Sequence, residues 1–243
     1  MNHISSIVDL VKSDKMSQIK YLQIGNGRLG QLIANQVETS TNLIINHARI
    51  DPKLGLIDSS FESITGEIGH LVLCLSPSQS SLWQWNQIFT GLMNQVDKKE
   101  LKINQAIFIS SSRVYDGINK GLITAQTPVK DYSERANQLI RAEQQIEKHA
   151  TSFHILRCSG LYGKEDQPYQ KYREILTQKD DKVRFGVDIN DVAKAVVKKL
   201  GEKVSSYSLL TDGYCYLHGE SLTIESVSDL SEQNRLLVKS ESF

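Results

Sequence analysis

The segment Gly25-Asn26-Gly27-Arg28-Leu29-Gly30 constrains this chain more than any other. Before it, Tyr21-Leu22-Gln23-Ile24 reads as a short buried strand; after it, Leu29, Leu32, Ile33 and Val37 recur at helical spacing. A strand that turns sharply on glycines into a helix gathers free backbone N–H groups and the positive end of the helix dipole at one point. A pyrophosphate is the usual occupant of such a point. Gly25 then serves the tight bend, Gly27 the close approach of backbone to phosphate, and Gly30 the packing of helix on strand. A bare G-x-G-x-x-G is weak because glycine is common. The strand before it and the helix after it predict a dinucleotide-binding turn contacted by Gly25, Asn26, Gly27, Arg28, Leu29 and Gly30. The competing reading is a glycine turn in some other α/β protein.

The rest of the chain alternates strand-like and helix-like segments. Leu43-Ile44-Ile45 reads as the second strand, Leu56-Ile57 as a weaker one, and Leu71-Val72-Leu73-Cys74-Leu75 as a buried one. A helix follows with Trp85, Ile88, Phe89, Leu92 and Val96 along one face. Ala106-Ile107-Phe108-Ile109 is the next strand, Ala136, Leu139, Ile140 and Ile146 mark the next helix, and Phe153-His154-Ile155-Leu156 is a further strand. Continuous apolar strands separated by amphipathic helices predict an α/β, doubly wound parallel sheet covered on both faces. Ligands of such folds sit beyond the carboxyl ends of the strands. The strand-end residues Leu75, Ser76, Ser110 and Ser111 therefore join the glycine turn as candidate cofactor contacts. Small polar residues at strand ends also make ordinary turns.

Bulk properties exclude several classes. The 243 residues carry 28 basic and 28 acidic side chains, so no global field draws the chain to nucleic acid or to an anionic membrane. No apolar run approaches the roughly 18 residues of a membrane-spanning helix. Residues 1–18 carry Asp9, Lys12, Asp14 and Lys15 without a continuous apolar stretch, which is not the pattern of a secretory signal. Ile4, Ile7, Val8 and Val11 instead suggest an amphipathic arm that packs on the body or on a second copy, so a homodimer is allowed. Cys74, Cys158 and Cys215 show no C-x-x-C spacing and fit a reducing, cytoplasmic setting, with Cys74 acting as a small hydrophobe. The six histidines form no metal-spaced cluster, and His154 in its apolar run reads as a structural residue, so no metal is assigned.

Cofactor choice is read after the second strand. A carboxylate there grips the 2′-hydroxyl of NAD, whereas an arginine accommodates the 2′-phosphate of NADP. This chain offers Asn46-His47-Ala48-Arg49 there, with Arg28 as a second cation, which favours NADP over NAD unless the arginines are merely solvated.

Three further segments resemble the short-chain dehydrogenase/reductase superfamily in its extended, nucleotide-sugar-epimerase-like branch. Residues 109–117, ISSSRVYDG, resemble its SS-x-x-VYG strand end; residues 156–163, LRCSGLYG, its LR-x-x-x-xYG segment; and residues 185–193, FGVDINDVA, its IHVDDVA segment. With the glycine turn, order and spacing agree from about residue 20 to 200, and more loosely to 228. The resemblance implies a Rossmann fold, with residues 19–163 as the NAD(P)-binding domain and 164–243 as a small C-terminal, substrate-side region that partly returns to the sheet. It also implies that Asp58 contacts the adenine amino group; a helix N-cap is the plain alternative.

The chain departs from that family at its proton relay. The family uses a Tyr-x-x-x-Lys pair, in which the lysine lowers the tyrosine pKa for acid/base work. None of the nine tyrosines here has a lysine four residues on. Registering on Glu143, which matches a family glutamate four residues past the lysine, puts Arg135 at the tyrosine position and Leu139 at the lysine position. Ser111 matches the family's substrate-polarising serine, although serine also caps such turns; Tyr132 and Tyr115 are the nearest replacement hydroxyls. The expectation is an atypical NAD(P)-binding, epimerase- or reductase-like protein acting on a small-molecule substrate, or a non-catalytic dinucleotide-binding protein that modulates a partner.

Overall fold

Strand periodicity explains how one sheet serves two cores. The computed structural model describes residues 18–41, 43–48, 64–75, 82–118, 121–130, 132–163, 169–179, 182–217, 220–223 and 236–238. In chain order these form β1 (Gln18–Ile24), α1 (Arg28–Ser40), β2 (Asn46–Ala48), β3 (Glu67–Leu73), α2 (Leu82–Lys98) and β4 (Lys102–Ser111). A 3-10 turn (Ser112–Tyr115), β5 (Gly121–Ile123), α3 (Glu134–His149), β6 (Ala150–Cys158), β7 (Gly160–Tyr162) and α4 (Tyr169–Leu176) follow. The last elements are β8 (Gly186–Asp188), α5 (Ile189–Lys199), β9 (Ser206–Leu210), β10 (Tyr214–Leu217), β11 (Glu220–Thr223) and β12 (Leu236–Val238).

A six-stranded sheet in the order β2-β1-β3-β4-β6-β9 is parallel throughout. Alternate residues of each strand face opposite sides. Leu22, Ile24, Ala106 and Phe108 join Phe89, Leu92, Leu139 and Ile146 of α2 and α3 in one core. Tyr21, Val72, Ile107 and Ile109 join Ile33, Val37, Val192 and Val196 of α1 and α5 in the other. This is the doubly wound, Rossmann-type α/β fold. The chain runs from β1 to β2 on one side, then crosses to β3 on the other, so the switch crevice opens at the carboxyl ends of β1 and β3. The segment after residue 164 returns to the sheet through β9, which pairs with β6. Among the described residues no helix is long and apolar enough to cross a membrane.

One strand falls elsewhere than the apolar pattern places it. The triplet Leu43-Ile44-Ile45 is not the second strand; β2 is Asn46–Ala48, with Asn46 level with Leu22 and Ala48 level with Ile24. Leu43 and Ile45 pack against the α1/α5 core as part of the connection from α1, while Ile44 is 81% exposed. The Asn46 side-chain amide donates to the Tyr21 carbonyl at 3.1 Å and helps hold the register three residues later. Asn46, His47 and Ala48 thus lie within the strand rather than after it. The strand expected at Leu56-Ile57 lies outside the described residues.

Candidate dinucleotide site

The turn between β1 and α1 is built from glycines that differ in what surrounds them. Gly25 has φ +101°, a region L side chains rarely adopt, and a Cβ there would stand 2.1 Å from the Cys74 carbonyl oxygen. That contact presses the end of β3 against the turn, and Cys74 N–H donates to the Ile24 carbonyl at 2.9 Å. A Cβ at Gly30 would stand 2.1 Å from the Gly25 carbonyl oxygen, so helix and turn approach as closely as backbones can. Among the described residues a Cβ at Gly27 would meet nothing within 4 Å. Gly27 is the N-cap of α1 and offers no side-chain cap, and the first turn of α1 carries no acidic residue. Among the described residues nothing covers the amino end of α1, whose dipole and first-turn N–H groups make the arrangement an anion needs. The residues present fit the pyrophosphate of a dinucleotide.

Around the turn, Asn26 and Arg28 are exposed, whereas Leu29 is buried and offers a ligand only its backbone. Beneath it lies a residue that the sequence pattern did not single out. The fully buried Gln23 donates from Nε2 to the Gly30 carbonyl at 2.7 Å and to the Gly25 carbonyl at 3.3 Å. Its Oε1 accepts from the Tyr21 hydroxyl at 3.2 Å, and burial, with Cys74 nearby, pushes that hydroxyl's pKa up, so it stays a donor. An amide inside an apolar strand was the available signal. Leu75 is partly buried, with its Cδ2 3.3 Å from where a Gly25 Cβ would be. Burial pushes the Cys74 thiol up to about 12, which keeps it protonated at neutral pH. Arg49, Asp58 and Ser76 lie outside the described residues.

At the carboxyl ends of β4 and β6 polar groups are spent on one another. Ser110 is buried and donates to Glu143 Oε1 at 2.6 Å. Arg157 grips the same carboxylate with two bonds, Nε to Oε1 at 3.2 Å and Nη2 to Oε2 at 2.7 Å. Burial pushes the Glu143 pKa up, against the bonds and charge of Arg157 and the bond from Ser110. Arg157 Nη1 also donates to the Tyr115 hydroxyl at 2.7 Å, and that hydroxyl donates to the Thr124 carbonyl at 3.1 Å. The guanidinium lies 4.3 Å from the centroid of the Tyr207 ring. The segments that resemble SS-x-x-VYG and LR-x-x-x-xYG are thus joined, through α3, by one buried brace.

The expected acid/base hydroxyls stand apart from that brace. Ser111 Oγ accepts from the Arg113 N–H at 3.3 Å and caps the 3-10 turn, while remaining partly accessible. Tyr132 is 56% exposed, and its ring covers the Gly117 backbone so closely that a Cβ there would stand 2.4 Å from Cγ. Leu139 is 1% exposed in the α2/α3 core, and Arg135 is half-buried. His154 is buried, with Nδ1 2.8 Å from Ser206 Oγ and Nε2 3.1 Å from the Glu202 carbonyl; burial lowers its pKa and favours the neutral ring. Among the described residues no three His, Cys, Asp or Glu side chains are placed to hold a metal.

A cavity of about 270 Å³ lies in the segments beyond β6, lined by Tyr162, Arg173, Leu176, Thr177, Tyr214, Tyr216 and Ser221. Asp212 accepts from the Tyr162 hydroxyl at 3.0 Å and the Tyr216 hydroxyl at 2.5 Å, which fixes both rings. Burial first, and Asp212 second, push both hydroxyls above the usual tyrosine range, so they remain neutral.

No protein-family model matches the chain, and no curated protein matches its sequence. Solved structures match its fold. A dTDP-4-dehydrorhamnose reductase of Clostridium acetobutylicum superposes with a TM-score of 0.61 at 17% identity, covering 91% of this chain and 84% of that one. A UDP-glucose 4-epimerase of Thermus thermophilus in complex with NAD gives 0.63 at 12% identity, over 91% of this chain and 86% of that one. WbmG of Bordetella bronchiseptica, also in complex with NAD, gives 0.58 at 15% identity, over 93% of this chain and 83% of that one. The chain has the fold of the extended short-chain dehydrogenase/reductase proteins, as its motifs suggest.

Proposed function

We propose that this chain binds a nicotinamide dinucleotide across the β1/β3 crevice, with the pyrophosphate on the turn from Gly25 to Gly30. The observation that carries the reading is the face of Gly27, open among the described residues, at a helix N-terminus without a side-chain cap and framed by two glycines that admit no side chain. Fold neighbours solved with NAD support the cofactor class. NADP is the favoured form, on Arg28 beside the turn and Arg49 in a stretch with no acidic residue until Asp51.

A nicotinamide, when bound, supplies hydride transfer. The backbone N–H groups from Gly25 onward bind and orient the dinucleotide. Ser111 and Tyr132 are the hydroxyls the sequence offers for proton transfer, and neither stands four residues before a lysine. The protein is therefore an atypical member of this fold class, in which binding is retained without the tyrosine–lysine relay. A second reading is favoured by Leu139, which sits in the apolar core at the position expected for the lysine. On that reading the bound state modulates a partner and turns nothing over.

Calorimetric titration with NAD and with NADP tests the proposal. The unmutated chain is expected to bind at least one of them below millimolar concentration. Gly27→Asp is expected to abolish binding at an unchanged melting temperature, because its side chain has room in the fold but fills the anion's place with negative charge. Absence of binding by the unmutated chain contradicts the reading.

A further inference from the structure

A buried glutamine in a central parallel strand is costly unless its amide is bonded. Tyr21, Val72 and Ile107 line the same side of the sheet, and a methionine or leucine at position 23 would cover α1 equally well. What the amide adds is specific: two N–H bonds to the carbonyls of Gly25 and Gly30. Its orientation is determined by its surroundings, because the reversed amide would face oxygen to two carbonyl oxygens and would waste the Tyr21 hydroxyl.

The consequence follows from peptide geometry. In a planar trans peptide the C=O and the N–H point in opposite directions. With the Gly25 carbonyl drawn inward to Gln23, the Asn26 N–H is turned outward, toward the crevice. We propose that Gln23 is a positioning residue for the dinucleotide, locking the Gly25–Asn26 peptide so that its N–H faces the pyrophosphate. This inference rests on the dinucleotide-binding reading above. Gln23 touches no ligand; it acts through the backbone.

The test uses the full chain, the tighter-binding of NAD and NADP, and the variants Gln23→Met and Gln23→Glu. Affinity is read as the ratio of variant to unmutated protein at each pH, so that titration of the cofactor cancels. Gln23→Met is expected to bind about tenfold more weakly while still folding, at a lowered melting temperature because the Tyr21 hydroxyl and the Gly25 carbonyl lose their partner. Gln23→Glu is expected to match the unmutated chain at about pH 5, where a protonated carboxyl still donates to Gly30, and to lose affinity as pH rises toward about 8. Burial raises that carboxyl's pKa and places the loss above the ordinary glutamate range. A residue that only fills space would show no such pH step.

If Gln23→Met does not fold, Tyr21→Phe removes only the hydroxyl that orients the amide. It is expected to weaken binding about threefold with the fold intact, the loss of part of one neutral hydrogen bond. Variants that bind as tightly as a binding-competent unmutated chain at every pH overturn this inference alone. An unmutated chain that binds neither cofactor overturns the functional reading and this inference with it.

Discussion

The β1–α1 turn and the β4–α3–β6 wall share the carboxyl edge of one sheet and dispose of their polar groups in opposite ways. At the turn, Gly27 supplies no side chain to cap the amino end of α1, and among the described residues its face is open. At the wall, Ser110, Glu143, Arg157 and Tyr115 satisfy one another in the interior. The first region leaves backbone donors at the end of a helix unspent on side chains. The second spends its polar residues on a strut between α3 and β6. Along one sheet edge, glycine leaves backbone groups available to a ligand, whereas side chains that satisfy one another are available to none.

Breaking the strut has the largest expected effect. Arg157→Leu leaves the Glu143 carboxylate buried at 2% exposure without its partner. The expected cost in chemical denaturation is about 3–5 kcal/mol. A double variant, Arg157→Leu with Glu143→Leu, should recover much of it. A cost below about 1 kcal/mol for the single variant would mean the pair is not the strut described, since that is the scale of an exposed pair.

Gly25→Ala attacks the open region by way of the fold. Its φ of +101° and the 2.1 Å approach to the Cys74 carbonyl leave no room for a methyl group. The expected loss is about 2–4 kcal/mol from backbone strain and overpacking, measured by thermal unfolding. Gly27→Asp, two residues on, should cost the fold almost nothing and the cofactor everything, which separates frame from cradle. Equal destabilisation by both would contradict the distinction.

The smallest effect is expected at Tyr132. Its exposed ring rests on Gly117 without a lysine one helical turn on, so Tyr132→Phe should leave any slow NAD(P)H oxidation unchanged. Turnover that is robust in the natural chain and abolished in Tyr132→Phe would place a relocated acid/base there and end the contrast between the two regions.

Much of this was legible in sequence because it rests on short-range patterns. The glycine turn reports a strand, a bend and a helix between Tyr21 and Val37, and the buried runs of β3, β4 and β6 report a covered parallel sheet. The Leu43-Ile44-Ile45 triplet misled because apolarity reports burial, not pairing. Leu43 and Ile45 pack against a core without joining the ladder that Asn46 begins. The brace of Glu143 to Arg157 and Ser110 was hidden for a different reason: its members are 14 and 33 residues apart, and only the sheet order brings them together. Gln23 reads in sequence as one more residue of a buried strand, because its partners are carbonyls that no sequence displays.

On the proposed function, the N-terminus of α1 holds a dinucleotide, and a crystal structure grown with NADP or NAD is the decisive measurement. The pyrophosphate is expected within hydrogen-bond distance of backbone N–H groups between Asn26 and Gly30, above Gly27. A cofactor bound elsewhere on the chain, or a turn that stays empty at saturating cofactor, would contradict it.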